Sequence, residues 1–278
     1  METTPPLPPP LSLDEFPASF VSTITGSRGS GKTTVVEDLL NKFQDGPKSK
    51  RRFDTIFLFS STMSPANFEG VPNNHKFIDL EFLPEIIRRQ AAVTQFNKQL
   101  QKKRKKGTST DPYIRSSICL VLDDMLATGN LRNNKLLNSV ALNGRHVNAT
   151  DPEPYNQMCT FILTQVINGI DPRIRRNVDI SLCNRISSRN DRKTYIESGM
   201  VCDSSRQGLT AAYNCFDQCT TCAPYAFCAL LNAHPNKRVF GDFVRTFVAG
   251  KPAKKVKKLF GTPEDFDNPL PKVDITAD

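Results

Sequence analysis

The octet G-S-R-G-S-G-K-T, from Gly26 to Thr33, constrains this chain more than any other stretch. It matches G-x4-G-K-[ST], a pattern that carries meaning only when a strand precedes it and a helix follows. Both are present in the sequence. Phe20, Val21, Thr23, Ile24 and Thr25 are strand-forming residues, and Val35, Val36, Leu39, Leu40 and Phe43 share one helical face. The plain alternative, a serine-glycine loop matching by chance, has no reason to sit between such elements.

The spacing has a chemical reason. Gly26, Gly29 and Gly31 let the main chain close around a phosphate without a side chain in the way. The segment from Gly26, Ser27, Arg28, Gly29, Ser30 and Gly31 through Lys32, Thr33 and Thr34 turns its amides inward as an anion nest. The helix N-terminus adds partial positive charge. Lys32 then reaches the β- and γ-phosphates, and the Thr33 hydroxyl binds magnesium. The expected ligands are a nucleoside triphosphate and Mg2+.

The chain has 278 residues, enough for one large or two small domains. No apolar run is long enough for a membrane-spanning helix. Residues 1–17 are rich in proline and lack the basic start and apolar middle of a signal peptide, so they are expected to form a disordered arm. The ATPase domain is expected over residues 18–248, with a charged mobile tail over 249–278. The net charge of +9 favours a polyanionic partner such as nucleic acid. Two basic runs contribute, Lys102–Lys106 and Lys251–Lys258, both in segments read as loops or linkers. Neither is interleaved with aromatics, so base stacking is not indicated. Taken alone, either run is more often a solvated segment or a targeting signal than a specific site.

Cys215, Cys219, Cys222 and Cys228 crowd together, with Cys202 near. The Cys219/Cys222 pair invites zinc, yet Cys215, Cys219 and Cys222 also follow helical spacing and Cys228 falls in an apolar run. Buried core cysteines are the favoured reading, zinc the lesser.

Further apolar runs end at Ser60, Asp123, Gln165 and Asn184, with helical patterns over 80–104 and 134–141. Two late strands are expected in P-Y-A-F-C-A-L-L-N and R-V-F-G-D-F-V-R. Buried strands alternating with helices predict an α/β fold with a mostly parallel sheet flanked by helices, whose ligands lie at the C-terminal strand ends. The octet, the acids and Gln165 all fall at such ends. Asp123 is assigned to magnesium and Asp124 to the general base; helix-capping acids are the alternative. From the residue alone, Gln165 is equally a γ-phosphate sensor or an ordinary strand-end glutamine. Arg173, Arg175 and Arg176 could supply a charge to a neighbouring subunit or merely flank a strand. Arg145 and His146 have no evident partner and no assigned role.

As a set, G-S-R-G-S-G-K-T, I-C-L-V-L-D-D, L-N-G-R-H, F-I-L-T-Q and I-R-R-N-V-D resemble the DNA-packaging ATPases of large double-stranded DNA viruses, the poxvirus-type enzymes of the FtsK–HerA superfamily. The resemblance spans roughly residues 20–231. It implies a RecA-like P-loop sheet in which the T-Q strand lies between the phosphate-loop strand and the acid strand, bringing Gln165 to the γ-phosphate. It further implies a homo-oligomeric ring, a pentamer or hexamer, that pumps double-stranded DNA into a capsid through its portal vertex at the intracellular site of virus assembly. Arg175 best matches the arginine given across the subunit interface, with Arg176 second. Asp124 departs from the family, where glutamate is common at that position. A helicase or DNA-transfer motor of the same fold is one alternative. A small-molecule nucleotide kinase is another, against which the G-R-H and T-Q elements speak. Intact Lys32, Thr33, Asp123 and Asp124 speak against a non-catalytic nucleotide-binding scaffold.

Overall fold

The computed structural model describes residues 6–45, 51–62, 68–125 and 157–250, together with the helical positions Lys135, Leu137, Asn138 and Val140. Arg145, His146, the basic run Lys251–Lys258 and the rest of the expected tail beyond residue 250 lie outside the described residues.

Eight strands form one sheet. They are β1 (Val21–Thr25), β2 (Thr55–Ser60), β3 (Lys76–Phe77), β4 (Ile118–Asp123), β5 (Met158–Thr164), β6 (Ile180–Cys183), β7 (Ala226–Leu231) and β8 (Val244–Val248). Their order is β3-β2-β4-β5-β1-β6-β7-β8. The pairings from β3 through β6 are parallel, whereas β6–β7 and β7–β8 are antiparallel. The fold is therefore α/β, with a mostly parallel sheet flanked by helices and the glycine-rich loop at the end of β1. As expected, β5 lies between the phosphate-loop strand β1 and the acid strand β4.

The central strands read as continuous apolar runs because both faces are covered. Along β4, Cys119 and Val121 enter one core with Val36 and Leu40, while Ile118, Leu120 and Leu122 enter a second core with Leu83 and Ile86. This is the two-residue alternation of a strand. The first face is covered by α1 (Lys32–Phe43). The second is covered by α2 (Leu83–Lys105) and by α3 (Pro172–Asn177), which contributes Ile174. Beyond β6 lie α4 (Arg189–Gly199), α5 (Arg206–Thr221) and the single turn α6 (Phe240–Phe243).

Helix α2 buries two amides. Gln90 exchanges hydrogen bonds with Ser116, and Asn97 does so with the backbone of Ile114. A buried polar group is tolerated when so paired, and here the pairs fasten the polar loop that leads into β4. The Lys102–Lys105 part of the first basic run belongs to the last turns of α2 and not to a loop. Cations at a helix C-terminus complement its dipole, which is why the helix persists there.

The segment expected to be a disordered arm is docked over its described part. Leu11 N donates to Thr246 O and Thr246 N donates to Pro9 O, so Pro8–Leu11 runs along the edge strand β8. Proline cannot donate but its carbonyl accepts, so it can cap a sheet edge without extending it. Ser12 and Glu15 form a reciprocal cap on a short 3-10 turn, and Glu15 Oε1 pairs with Arg245 Nε at 2.6 Å. Phe16 is buried edge-to-face against Phe20 and Phe43.

The run R-V-F-G-D-F-V-R is also not one strand. Asp242 folds back on the Val239 N–H and makes a helical turn, and the strand begins at Val244. The cysteines at 215, 219 and 228 are buried core residues, as their helical and strand spacing predicts, whereas Cys222, just past the end of the helix, is exposed and Cys202 is half-buried. No group of three or more His, Cys, Asp or Glu side chains placed to hold a metal ion occurs among the described residues.

Candidate nucleotide-binding site

β1 ends at Thr25 and the chain turns at once into the glycine-rich loop, whose first amide, that of Gly26, donates to Thr164 O of β5 at 3.2 Å. The loop is tied on its other side to the segment after β6. Asn184 Nδ2 donates to Ser30 O at 3.0 Å, and Ser27 Oγ bonds Arg185 O and the Ser187 backbone. These ties fix the loop before any ligand arrives.

Helix α1 starts at Lys32 with Gly31 as its cap, and Val35 N is the first amide to close on it, donating to Gly31 O at 2.9 Å. The amides of Lys32, Thr33 and Thr34 are therefore left outside the helical ladder, as at any helix start. They lie at the end of the glycine-rich loop, an arrangement suited to an anion. Gly31 itself is at φ +89°, and a Cβ there would sit 2.4 Å from Tyr225 Cδ1. Both backbone and neighbour thus require glycine.

The Lys32 ammonium folds back over the loop and donates to Gly26 O at 2.9 Å and Ser27 O at 3.2 Å. Burial pulls its pKa below the usual lysine range, and the charges of Asp123 and Asp124 oppose that fall. Asp123 ends β4 and is 8% exposed. Burial, then the adjacent Asp124 charge, pushes its carboxyl up to about 6, with Lys32 acting against the rise. A carboxylate so placed gains from a further positive charge. The donor set of one hydroxyl (Thr33) and two carboxylates is all hard oxygen, which fits magnesium. The residues at hand would hold that ion through Thr33 and Asp123.

Asp124 adopts φ +52°, a left-handed conformation rare for a residue with a Cβ. Its N–H donates to Leu163 O and its carbonyl accepts from Ser61 Oγ, so the turn is pinned from β5 and from the end of β2. Its carboxylate accepts from Gln165 Nε2 at 3.1 Å. Asp124 and Gln165 thus meet at the C-terminal edge of the sheet, next to the acid strand.

Arg175 is placed apart from this cluster. It is half-buried on α3, and its Nη1 donates to Asn168 Oδ1 at 3.0 Å. Asn168 in turn donates to the buried Asp191 of α4. Arg173 is paired with Asp171, the cap of α3, and Arg176 is exposed. Asn184 and Ser187 tie the loop down and the Tyr225 ring lies against Gly31, but none of the three is singled out by the sequence. Only the strand end at Asn184 gave any hint of one of them.

No curated protein sequence matches the chain. Among solved structures, one similar chain is the genome packaging NTPase B204 from Sulfolobus turreted icosahedral virus 2 in complex with AMPPCP. It has 12% identity and a TM-score of 0.48, over 83% of this chain and 97% of that one. A second is the conjugation coupling protein TcpA of pCW3 (13% identity, TM-score 0.48, 83% and 60% covered). A third is EssC, ATPases 2 and 3, from Geobacillus thermodenitrificans (14% identity, TM-score 0.49, 84% and 41% covered). The family described as Poxvirus A32 protein matches residues 13–223, well over half of the sequence. The chain belongs to the poxvirus A32 protein family of viral packaging ATPases.

Proposed function

We propose that this protein is an ATP-hydrolysing motor that moves double-stranded DNA into a viral capsid. The observation that carries the reading is the order β4-β5-β1, which gathers Asp123, Asp124, Gln165 and Lys32 at one sheet edge beside the phosphate loop.

In this reading the amides of the loop and of the first turn of α1 bind the triphosphate, and Lys32 leaves its two carbonyl acceptors for the β- and γ-phosphates. Thr33 and Asp123 hold magnesium, which when bound neutralises charge on the phosphate oxygens. Asp124 accepts a proton from the attacking water. Gln165, already bonded to Asp124, orients that water and senses the γ-phosphate. Positioning and charge stabilisation supply most of the rate. Arg175, with Arg176 second, acts on the nucleotide of a neighbouring subunit in a ring of five or six copies. The partners are double-stranded DNA and the capsid or its portal vertex, at the intracellular site of virus assembly. The net charge of +9 suits the DNA partner. No helix among the described residues is long and apolar enough to cross a membrane.

The test measures ATP turnover with and without duplex DNA, particle mass by light scattering, and displacement of a third strand from a triplex. DNA-stimulated turnover by a ring that displaces the third strand while leaving the duplex paired is expected. Strand separation at a fork would make it a helicase, and phosphate transfer to a small acceptor by a monomer would make it a kinase.

A further inference from the structure

Tyr225 stands at φ +55°, in the left-handed region that bulky side chains rarely occupy, and its residue is 41% exposed. The residues that follow it, Ala226 and Phe227, are buried in β7. Packing of the core therefore does not account for the ring's placement. Its edge atoms Cδ1, Cε1 and Cγ lie against Gly31, so close that the loop can carry no side chain there. A backbone outlier that sets an exposed aromatic ring on a phosphate loop calls for a functional reason.

The same ring lines a cleft of about 820 Å³. One wall is the loop, with Ser27 and Ser30. The other walls are the segment after β6, with Asn184 and Ser187, and the end of α5 with the segment that follows it, Thr221 and Tyr225. The volume is that of a small-molecule site. The first two walls are bolted together by the Asn184–Ser30 and Ser27–Ser187 hydrogen bonds, so the cleft keeps its shape relative to the phosphate site. A phosphate chain held by the loop needs little of this space; a flat heterocycle attached to it through a sugar needs much of it.

We infer that Tyr225 is the stacking platform for the nucleobase, and that the cleft between Asn184–Ser187 and Thr221–Tyr225 holds the nucleoside while the loop holds the phosphates. The inference rests on the nucleotide-binding reading above and adds the base subsite to it. Stacking works with the face of any base, so the platform contributes affinity and position more than choice among bases.

The experiment titrates the full chain calorimetrically with magnesium ATP and, separately, with magnesium tripolyphosphate, which has the phosphates but no base. Wild type is compared with Tyr225→Asn, which suits a left-handed backbone, with Tyr225→Phe, and with Tyr225→Leu. The leucine keeps apolar bulk over Gly31 without a ring and stands in should the asparagine variant not fold. Expected is a loss of ATP affinity of roughly tenfold in the asparagine and leucine variants, none in the phenylalanine variant, and unchanged tripolyphosphate binding in all three. Equal weakening of ATP and tripolyphosphate would make Tyr225 a buttress of the loop and overturn the inference. Unchanged ATP affinity would overturn it too, while leaving the phosphate site intact. Wild type binding neither probe would instead remove the nucleotide reading, and the base platform with it.

Discussion

Gln165 Nε2 donates to Asp124 Oδ2 at 3.1 Å, so the residue just past β5 holds the carboxylate just past β4. The two side chains come from neighbouring parallel strands whose register pairs Asp123 with Leu163. Asp124 is turned toward β5 by its left-handed backbone, which is anchored through Leu163 O and Ser61 Oγ. In the proposed mechanism Asp124 is the base and Gln165 the water-orienting amide, and because they share a hydrogen bond they act as one unit. Gln165→Ala and Asp124→Asn are each expected to lower kcat by about 10²-fold or more. The double variant is expected to be no slower than the slower single, because effects within a unit do not add. Steady-state ATPase rates check this, with equilibrium ATP binding expected to stay near wild type. Losses that multiply in the double variant would show the residues to be independent.

Gly29 and Gly31 both hold positive φ, at +75° and +89°, yet their surroundings differ. Around Gly29 nothing lies within 4 Å of an added Cβ, whereas at Gly31 the Tyr225 ring stands in the way. Gly29→Ala meets backbone strain alone, of order 1–3 kcal/mol. Gly31→Ala meets that strain and displaces Tyr225 as well. The alanine at 31 is therefore expected to lower the melting temperature and ATP affinity more than the alanine at 29. Thermal denaturation with and without ATP separates them, and equal effects would refute the contact.

Arg175 is bonded to Asn168 in its own chain, and the proposal gives it a role on the neighbouring subunit's nucleotide. Lys32→Ala is expected to abolish turnover by removing the phosphate-binding charge. Arg175→Ala is expected to abolish DNA-stimulated turnover while ATP still binds. Mixed in equal amounts and allowed to exchange subunits, the two inactive variants should regain activity. Some interfaces then pair an intact phosphate loop with an intact arginine. A mixture as inactive as its parts, under conditions where exchange is demonstrated by labelled subunits, would rule out the cross-subunit role.

The central strands and the residues at their ends are more legible in the sequence than the edges of the fold. Asp123 and Gln165 stand out because one closes and the other follows a largely apolar strand, and Lys32 because it belongs to the glycine-rich octet; strand ends in a parallel sheet converge on one edge. The Asp124–Gln165 contact depends on the order of β4 and β5, which spacing along the chain does not encode. The family resemblance supplied that order. Asn184 and Tyr225 were not singled out because their roles come from contacts made across more than 150 residues, between Asn184 and Ser30, and between Tyr225 and Gly31. The proline-rich start reads as a free arm for a physical reason. Composition signals that such a segment cannot build a core of its own, but β8 offers it a ready sheet edge, and the Glu15–Arg245 pair and Phe16 fasten it there.

That docking makes a prediction that a free arm would not. Phe16 is 4% exposed, with ring centroids 5.0 Å from Phe20 and 5.2 Å from Phe43. Arg52 lies over the same Phe20 and Phe43 rings and donates to the carbonyls of Phe16 and Pro17. Phe16→Ala removes the ring that plugs this aromatic group and leaves a cavity, at a cost of about 3–5 kcal/mol. In a chain of this size that corresponds to a melting temperature lower by roughly 6 °C or more. Leu7→Ala, in the same segment but 51% exposed, is expected to change stability by no more than about 0.5 kcal/mol. Thermal and urea denaturation of the two variants provide the measurement. A disordered arm would leave both at the wild-type value, whereas an arm that closes the sheet edge makes only the phenylalanine matter.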